Sequence, residues 1–76
     1  MSVEYTKLGT NLHSFSVNLC NYCISYQTVI AVIDYQNEII KIKHGLTQTS
    51  KKHLNQWIKY FKLDNYQKVV IGGNID

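Results

Sequence analysis

The fold is decided by residues 47–61, TQTSKKHLNQWIKYF, where the hydrophobic spacing of the chain changes from that of strands to that of a helix. Apolar side chains spaced i, i+3, i+4 and i+7 form a single stripe along a helix. Here that stripe consists of Leu54, Trp57, Ile58 and Phe61. Because an isolated helix of three turns is marginal in water, the stripe predicts a helix packed on a sheet. Lys59 and Lys62 fall near its C-terminal end, where the helix dipole favours cations.

Three hydroxyl residues introduce this helix. Thr49 or Ser50 is the expected N-cap, since a side-chain oxygen can accept a hydrogen bond from a free amide of the first turn. Together with Thr47 and the adjacent Lys51, these hydroxyls and amides form a candidate anion site at the helix N-terminus. The ordinary alternative is that one hydroxyl caps the helix and the others are simply loop residues.

The residues before the helix have the periodicity of strands. Residues 2–8 predict a short strand or a loose arm ahead of a turn at residues 9–11. Residues 12–26 alternate with period two, but the phase slips near Cys20 and Asn21, which predicts a β-bulge or a tight turn there. The run TVIAVI, residues 28–33, is apolar at every position but the first and predicts a central strand covered on both sides.

A hairpin and a last strand follow. After turn-forming residues 34–37, Ile40 and Ile42 alternate with Lys41 and Lys43, which predicts a strand with one buried and one wet side. Residues 69–71, VVI, predict a final strand that completes the sheet or pairs with a second copy at an exposed edge. The predicted fold class is α+β, with a small antiparallel sheet in the order β-β-β-α-β and one helix packed on one face. An extra N-terminal strand is left open, and residues 1–76 are expected to form a single domain.

The composition narrows the classes of function. The chain has 76 residues and a formal charge of +3, from eight lysines, no arginine and five acidic residues. Lysine offers flexible point charges for phosphates but lacks the bidentate geometry that reads base edges. Sequence-specific reading of duplex DNA is therefore not expected, and the positive sign argues against a mimic of nucleic acid. The chain shows neither a signal-peptide pattern nor a long apolar run, so we expect a cytoplasmic protein without a membrane partner.

Cys20 and Cys23 form a lone C-x-x-C pair. A structural zinc site needs four ligands, and the histidines at 13, 44 and 53 are at unrelated spacings. Residues three apart in a strand also point to opposite faces. We therefore expect both cysteines to pack in the core, with a metal or redox role as the alternative, and we expect no cofactor.

His53 is the residue most suited to general-base chemistry. Helical spacing places His53, Gln56 and Tyr60 on one flank beside the apolar stripe, where they would form a small polar cluster. The five acidic residues are scattered and no glycine-rich elbow is present, so no nucleophile and base are paired by a recognisable motif. We expect His53 to be a hydrogen-bonded residue at the helix boundary and the protein to be non-enzymatic.

The lysines supply a candidate binding surface. Lys52, Lys59 and Lys62 share the helix face opposite Trp57, while Lys41 and Lys43 project from the wet side of the hairpin. If both faces meet at one edge, the lysines form a patch for a phosphate backbone, and exposed tyrosines could stack on single-stranded bases. The alternative is that they serve only solubility. The candidate patch comprises Lys41, Lys43, Lys51, Lys52, Lys59 and Lys62, with Tyr35, Tyr60 and Tyr66 as the candidate stacking rings.

Two short motifs carry a resemblance to a known family. The first, of the type S-Y-x-T-x-I-A, is matched by Ser25, Tyr26, Thr28, Ile30 and Ala31. The second, of the type T-T-S-x-H-L, is matched by Thr47, Thr49, Ser50, His53 and Leu54, with Gln48 inserted between the threonines and two residues instead of one between Ser50 and His53. Across residues 15–61 the chain resembles a family of small uncharacterised proteins of bacteriophages and mobile elements. The resemblance implies a phage-type origin and a fold of sheet plus helix, and it implies no activity.

Three functions remain open at this level. The first is a non-enzymatic inhibitor or modulator of a host target, in the manner of an anti-CRISPR protein that acts by steric occlusion; this rests on analogy with small phage accessory proteins. Its partner would be a host protein or a protein–nucleic-acid complex. The second is a nucleic-acid-binding module that uses the lysine patch, and the third is a small hydrolase or nuclease centred on His53. A homodimer formed by edge-strand pairing is compatible with each.

Overall fold

The computed structural model describes residues 3–72, which form a six-stranded sheet and one helix. Five strands precede the helix and one follows it, and the strands lie side by side in chain order. Their bounds are β1 Val3–Gly9, β2 Leu12–Val17, β3 Cys20–Ser25, β4 Thr28–Asp34, β5 Ile39–Lys43, α1 Gln48–Phe61 and β6 Gln67–Ile71. No helix among residues 3–72 is long and apolar enough to cross a membrane.

The α+β class is confirmed, but the strand order differs from the predicted one. Residues 12–25 form two strands because the chain reverses at Asn18 and Leu19, where Asn18 has a φ of 55°. The phase slip in the sequence therefore marks a tight turn, and residues 3–9 form the extra strand that was left open. The sheet is also not wholly antiparallel. Helix α1 carries the chain across the sheet, so β6 pairs with β5 in parallel.

The helix docks on one face of the sheet through its apolar stripe. Leu54, Trp57 and Ile58 are buried, and Phe61 packs at the margin of the core. Alternate residues of the four middle strands meet this stripe, including Leu12, Cys23, Ile33 and Ile40. The predicted alternation of β5 is confirmed, because Ile40 and Ile42 are buried while Lys41 and Lys43 are exposed. Fully burying each aliphatic side chain contributes roughly 1.5–3 kcal/mol, so this contact holds the helix in place.

A polar chain runs through the core beneath the indole. Trp57 is fully buried, and its Nε1 donates to the Oγ of Ser14 over 3.4 Å. The Ser14 hydroxyl in turn donates to the side-chain oxygen of Asn21 on the neighbouring strand. All three side chains are thereby satisfied, which avoids the cost of a buried polar group without a partner. The chain of bonds fixes the position of α1 over β2 and β3.

The ends of the helix differ from those expected. Thr47, and not Thr49 or Ser50, is the N-cap, and its side chain accepts from the Ser50 amide over 3.2 Å. At the other end Lys62 adopts a left-handed conformation with a φ of 56°. The next amide, of Leu63, donates to the Ile58 carbonyl over 2.9 Å, and the Leu63 side chain is buried. This is the Schellman arrangement, with lysine in the position usually taken by glycine.

Truncating the core should therefore be more costly than truncating the edge strand. We expect Ile40→Val to lower the free energy of unfolding by about 0.5–1.5 kcal/mol, because Ile40 is fully buried against the helix. The control is Val70→Ala on β6, a position that is 62% exposed, which should change the free energy by less than about 0.5 kcal/mol. Urea denaturation followed by circular dichroism measures both, and equal effects would contradict the packing described.

Candidate functional site

Helix α1 presents a basic surface outside its buried stripe. Lys51, Lys52, Lys59 and the C-cap Lys62 are all exposed, and at 100° per residue the three lysines within the helix fall within an arc of roughly 100°. We call these four residues the basic ridge. No aspartate or glutamate occurs in residues 48–61, so none of these lysines has an acidic partner one turn away within the helix. Their charges are therefore not neutralised within the helix. A charged partner within the Debye length, about 8–10 Å, is attracted by several of them at once.

The strand lysines do not join the basic ridge. Lys41 alternates with Ile40 and Ile42, which contact the helix side of the sheet, so Lys41 lies on the opposite face. The hydrogen bond from the Asn37 side chain is the main cause that lowers the pKa of Asp34, and the charge of Lys41 is the smallest of the contributing causes. The predicted patch is thus divided by the thickness of the sheet. The sequence could not reveal this, because the position of α1 relative to β5 depends on long-range packing.

Lys43 lies elsewhere, in a pocket of about 260 Å³ at the start of the helix. The pocket is formed by the β3–β4 turn, the segment after β5 and the first turn of α1. Its walls include residues of both sequence motifs, which are distant in the chain and adjacent in space. We call it the motif pocket, and its lining residues are Ser25, Tyr26, Thr28, Ile30, Lys43, Gly45, Leu46, Thr47 and Ser50.

A serine–histidine contact joins the two motifs beside the motif pocket. Ser25 is only 2% exposed, and its Oγ lies 2.7 Å from the Nδ1 of His53. The His53 ring also packs against Tyr26, with ring centroids 5.6 Å apart. Tyr26 and Gln27 both have positive φ values, 54° and 81°, as a two-residue type I′ turn requires. The histidine and a backbone bond from the Tyr26 amide to the Asn11 carbonyl hold this uncommon turn.

The hydroxyl residues of the helix start divide between capping and exposure. Thr47 caps α1 and also contacts the Ser50 hydroxyl over 3.2 Å, whereas Thr49 is exposed one residue into the helix. Thr47 and Ser50 line the motif pocket, and Lys43 at the end of β5 is also among its lining residues. These groups present hydroxyls and one cation, a set that suits a small anion. No carboxylate lines the pocket, so the Ser25–His53 contact lacks the acidic group that orients the histidine in a catalytic triad.

The side of the sheet away from the helix carries a surface that the sequence analysis did not identify. Strand registers place one residue from each strand in a central row across this side: Tyr5, Phe15, Tyr22, Val32, Lys41 and Val69. We call this side of the sheet the open face. Tyr5 and Phe15 are 53% and 36% exposed, and their ring centroids lie 5.0 Å apart. The sequence shows aromatic residues at period-two positions in several strands. Only the strand registers reveal that these residues lie side by side.

The profile of one protein family matches residues 3–73 of the chain. The chain belongs to DUF8033, a family of unknown function. No curated protein and no solved structure matches the chain. The match covers every strand and the helix, and so both walls of the motif pocket lie within the DUF8033 unit. Because the family description states no activity, the function of this DUF8033 chain has to be argued from its surfaces.

The two cysteines of the DUF8033 chain lie on opposite sides of β3. Cys23 is fully buried among core residues, and burial raises the pKa of its thiol to about 12. Cys20 is half-buried on the open face, in line with Val17 and Asp34 of the neighbouring strands. Core packing is therefore right for Cys23 and wrong for Cys20. Among residues 3–72, no group of three or more histidine, cysteine or acidic side chains has the arrangement of a metal site.

The side chains of the predicted polar cluster, His53, Gln56 and Tyr60, contact different parts of the molecule. His53 binds Ser25, as described. Gln56 donates through Nε2 to the Leu8 carbonyl over 3.2 Å and so ties the helix to the end of β1. Tyr60 is 59% exposed and packs edge-on against Phe61. Helical spacing puts them on one flank, but His53 and Gln56 bind different strands while Tyr60 packs against its neighbour in the helix.

The Ser25–His53 bond should couple the two motifs energetically. Ser25→Ala and His53→Ala, alone and combined, form a double-mutant cycle for the free energy of unfolding. We expect a coupling of about 0.5–1.5 kcal/mol, the net value of one partly buried hydrogen bond. Urea denaturation at one fixed pH gives the four values.

The matched control is a second cycle that pairs Ser25→Ala with Tyr60→Ala, because these two side chains share no described partner. Their effects should add within roughly 0.3–0.5 kcal/mol. If the effects of Ser25→Ala and His53→Ala on the free energy of unfolding are equally additive, the hydrogen bond does not hold the motifs together.

Proposed function

We propose that this protein is a non-enzymatic accessory protein that binds a host target and blocks it by steric occlusion, with the basic ridge as its contact surface. The observation that carries the proposal is the absence of acidic residues from a helix that bears Lys51, Lys52 and Lys59, with Lys62 as its C-cap. Lysines that serve only solubility are usually interspersed with acidic residues on the same surface. Here four of the eight lysines lie on the basic ridge with no acidic residue of the helix among them.

The chemistry of the ridge selects an acidic partner. Between Lys52 and Lys59 the helix rises by roughly 10 Å, and between Lys51 and Lys62 by roughly 16 Å. Four ammonium groups along this length fit a row of carboxylates on a host protein, or phosphates in a protein–nucleic-acid complex. Occupying such a surface would exclude the target's own basic ligand. A short rigid helix held on a sheet is well suited to this, because little order has to be gained on binding.

The resemblance to small phage proteins and the size of the chain support the finer proposal, an anti-defence role like that of an anti-CRISPR protein. A chain of 76 residues has little room for an enclosed substrate site. The buried Ser25–His53 contact, without a carboxylate in the motif pocket, also favours binding over catalysis. We propose action in the host cytoplasm, where the target resides.

A second candidate is a module that binds single-stranded nucleic acid. One specific observation favours it: Tyr60 is 59% exposed on the same helix as the ridge, where a base could stack on its ring. Lysine would bind the backbone without reading sequence. The surface would then be the ridge and Tyr60, since Lys41 lies on the far side of the sheet.

The test is capture of partners from host lysate by the immobilised protein, with and without nuclease treatment, followed by mass spectrometry. The ridge variant combines Lys52→Gln, Lys59→Gln and Lys62→Gln. The matched control combines Lys7→Gln, Lys41→Gln and Lys43→Gln on the strands. Each triple variant lowers the formal charge from +3 to zero (3 − 3 = 0), so the two differ only in position.

We expect the ridge variant to bind the captured protein roughly 3- to 150-fold more weakly, from about 0.2–1 kcal/mol for each of three exposed ion pairs. The control variant should keep its affinity. Capture that survives nuclease supports a protein target, and capture that nuclease abolishes supports the nucleic-acid module. Equal loss in both triple variants would show that only net charge matters and would remove the ridge as the contact surface.

A further inference from the structure

The open face carries several exposed apolar side chains, Val3, Tyr5 and Phe15 among them, beside a few charged ones. Its central row holds three aromatic rings on the adjacent strands β1, β2 and β3, followed by Val32, Lys41 and Val69. The rows on either side contribute the aliphatic side chains of Val3, Val17, Ile24 and Ile39, and they also hold Lys7, His13, Asp34 and Lys43. Helix α1 covers only the other side of the sheet. A contiguous apolar surface of this kind marks an interaction site.

The size of the open face matches what a stable interface needs. Six strands at about 4.8 Å and strand lengths of 5–7 residues at about 3.3 Å give a flat footprint of roughly 29 by 20 Å, near 600 Å². Specific interfaces bury upward of about 1,000 Å² in total, or 500 Å² from each partner. The face of one sheet is therefore sufficient by itself, and two sheets pack face to face about 10 Å apart in β-sandwiches.

The positions of the charges favour a second copy of this chain as the partner that covers the open face. A two-fold axis parallel to the strands, between β3 and β4, reverses the strand order in the second copy. It therefore places β1 over β6, β2 over β5 and β3 over β4 of the second copy. The central row then sets Tyr22 over the second copy's Val32, and Tyr5 over the second copy's Val69. Lys41 falls over the second copy's Phe15, where an ammonium meets the face of a ring. Lys7, on β1, falls over β6 of the second copy.

In this arrangement no lysine of the open face meets a lysine. An axis across the strands would instead place Lys41 directly over its own copy, with two like charges in an apolar interface. We propose that the protein forms a homodimer by packing the open faces of two copies together, with the two-fold axis parallel to the strands. The dimer presents two basic ridges on its opposite outer sides. It is independent of the proposed function, which concerns the ridges.

The first test is the oligomeric state in sedimentation equilibrium across a range of concentrations. The expected mass is twice that of the 8.8 kDa chain. Phe15→Lys should weaken self-association at least roughly tenfold, because it sets a lysine against Lys41 of the second copy. Tyr60→Lys, which adds the same charge on the exposed side of the helix, should leave the mass unchanged.

The geometry predicts a rescue. Combining Phe15→Lys with Lys41→Glu should restore the dimer, because β2 of one copy lies over β5 of the other and the new charges attract. Within one copy β2 and β5 are separated by three strand spacings, about 14 Å. The introduced lysine and glutamate therefore attract each other mainly between copies. A stable fold in each variant is checked by circular dichroism. A monomer at every concentration, or a dimer that Phe15→Lys leaves intact, would overturn the proposal.

The thiol of Cys20 distinguishes this dimer from one formed by edge strands. Cys20 lies on β3 beside the proposed axis, so the two copies of its sulfur should be roughly 11 Å apart, within reach of a short bis-maleimide. Cross-linking should yield a covalent dimer that Cys20→Ser abolishes. Cys23 is fully buried and does not compete for the reagent. Edge pairing would place the two Cys20 side chains far apart, and a dimeric mass without cross-linking would therefore overturn the face-to-face arrangement.

Discussion

The structure depends on the packing of Trp57 against the sheet. The indole is fully buried, and its N–H joins Ser14 and Asn21 in a chain of hydrogen bonds inside the core. Apolar burial gives the contact its strength, while the polar chain restricts where the ring can sit, because any shift would leave a buried donor without a partner. Leu54 and Ile58 extend the same stripe. The orientation of α1 follows, and so does the choice of which helix side faces the solvent.

That orientation gives the molecule two different outer surfaces. The helix turns its lysines away from the sheet, and one helix covers only one face of six strands, which leaves the other face apolar and uncovered. The motif pocket lies where the two layers meet, held by the bond from Ser25 to His53. The family match extends over both layers. The basic ridge and the open face are therefore separate surfaces, one cationic and one largely apolar, on opposite layers of the molecule.

Much of the fold could be predicted because local periodicity reports burial. The stripe of Leu54, Trp57 and Ile58 predicted the helix, and the alternation of Ile40 and Ile42 with lysines predicted the side of β5 that is buried. The turns were harder. Asn18, Tyr26 and Lys62 all have positive φ where no glycine signals it, so the phase slip in residues 12–26 could not by itself distinguish a bulge from the turn that divides β2 from β3. Tertiary contacts, such as the one between Tyr26 and His53, hold these residues in place.

The site was less predictable, since it depends on which elements meet. The division of the lysines between two faces and the aromatic row across β1, β2 and β3 arise from strand registers that a single sequence does not state.

The buried indole remains the most direct test of the whole account. As the chain has one tryptophan, quenching of its fluorescence by acrylamide reports Trp57 alone. We predict a blue-shifted emission and a quenching constant well below that of the urea-unfolded chain; emission and quenching equal to those of the unfolded chain under native conditions would contradict the docking of α1.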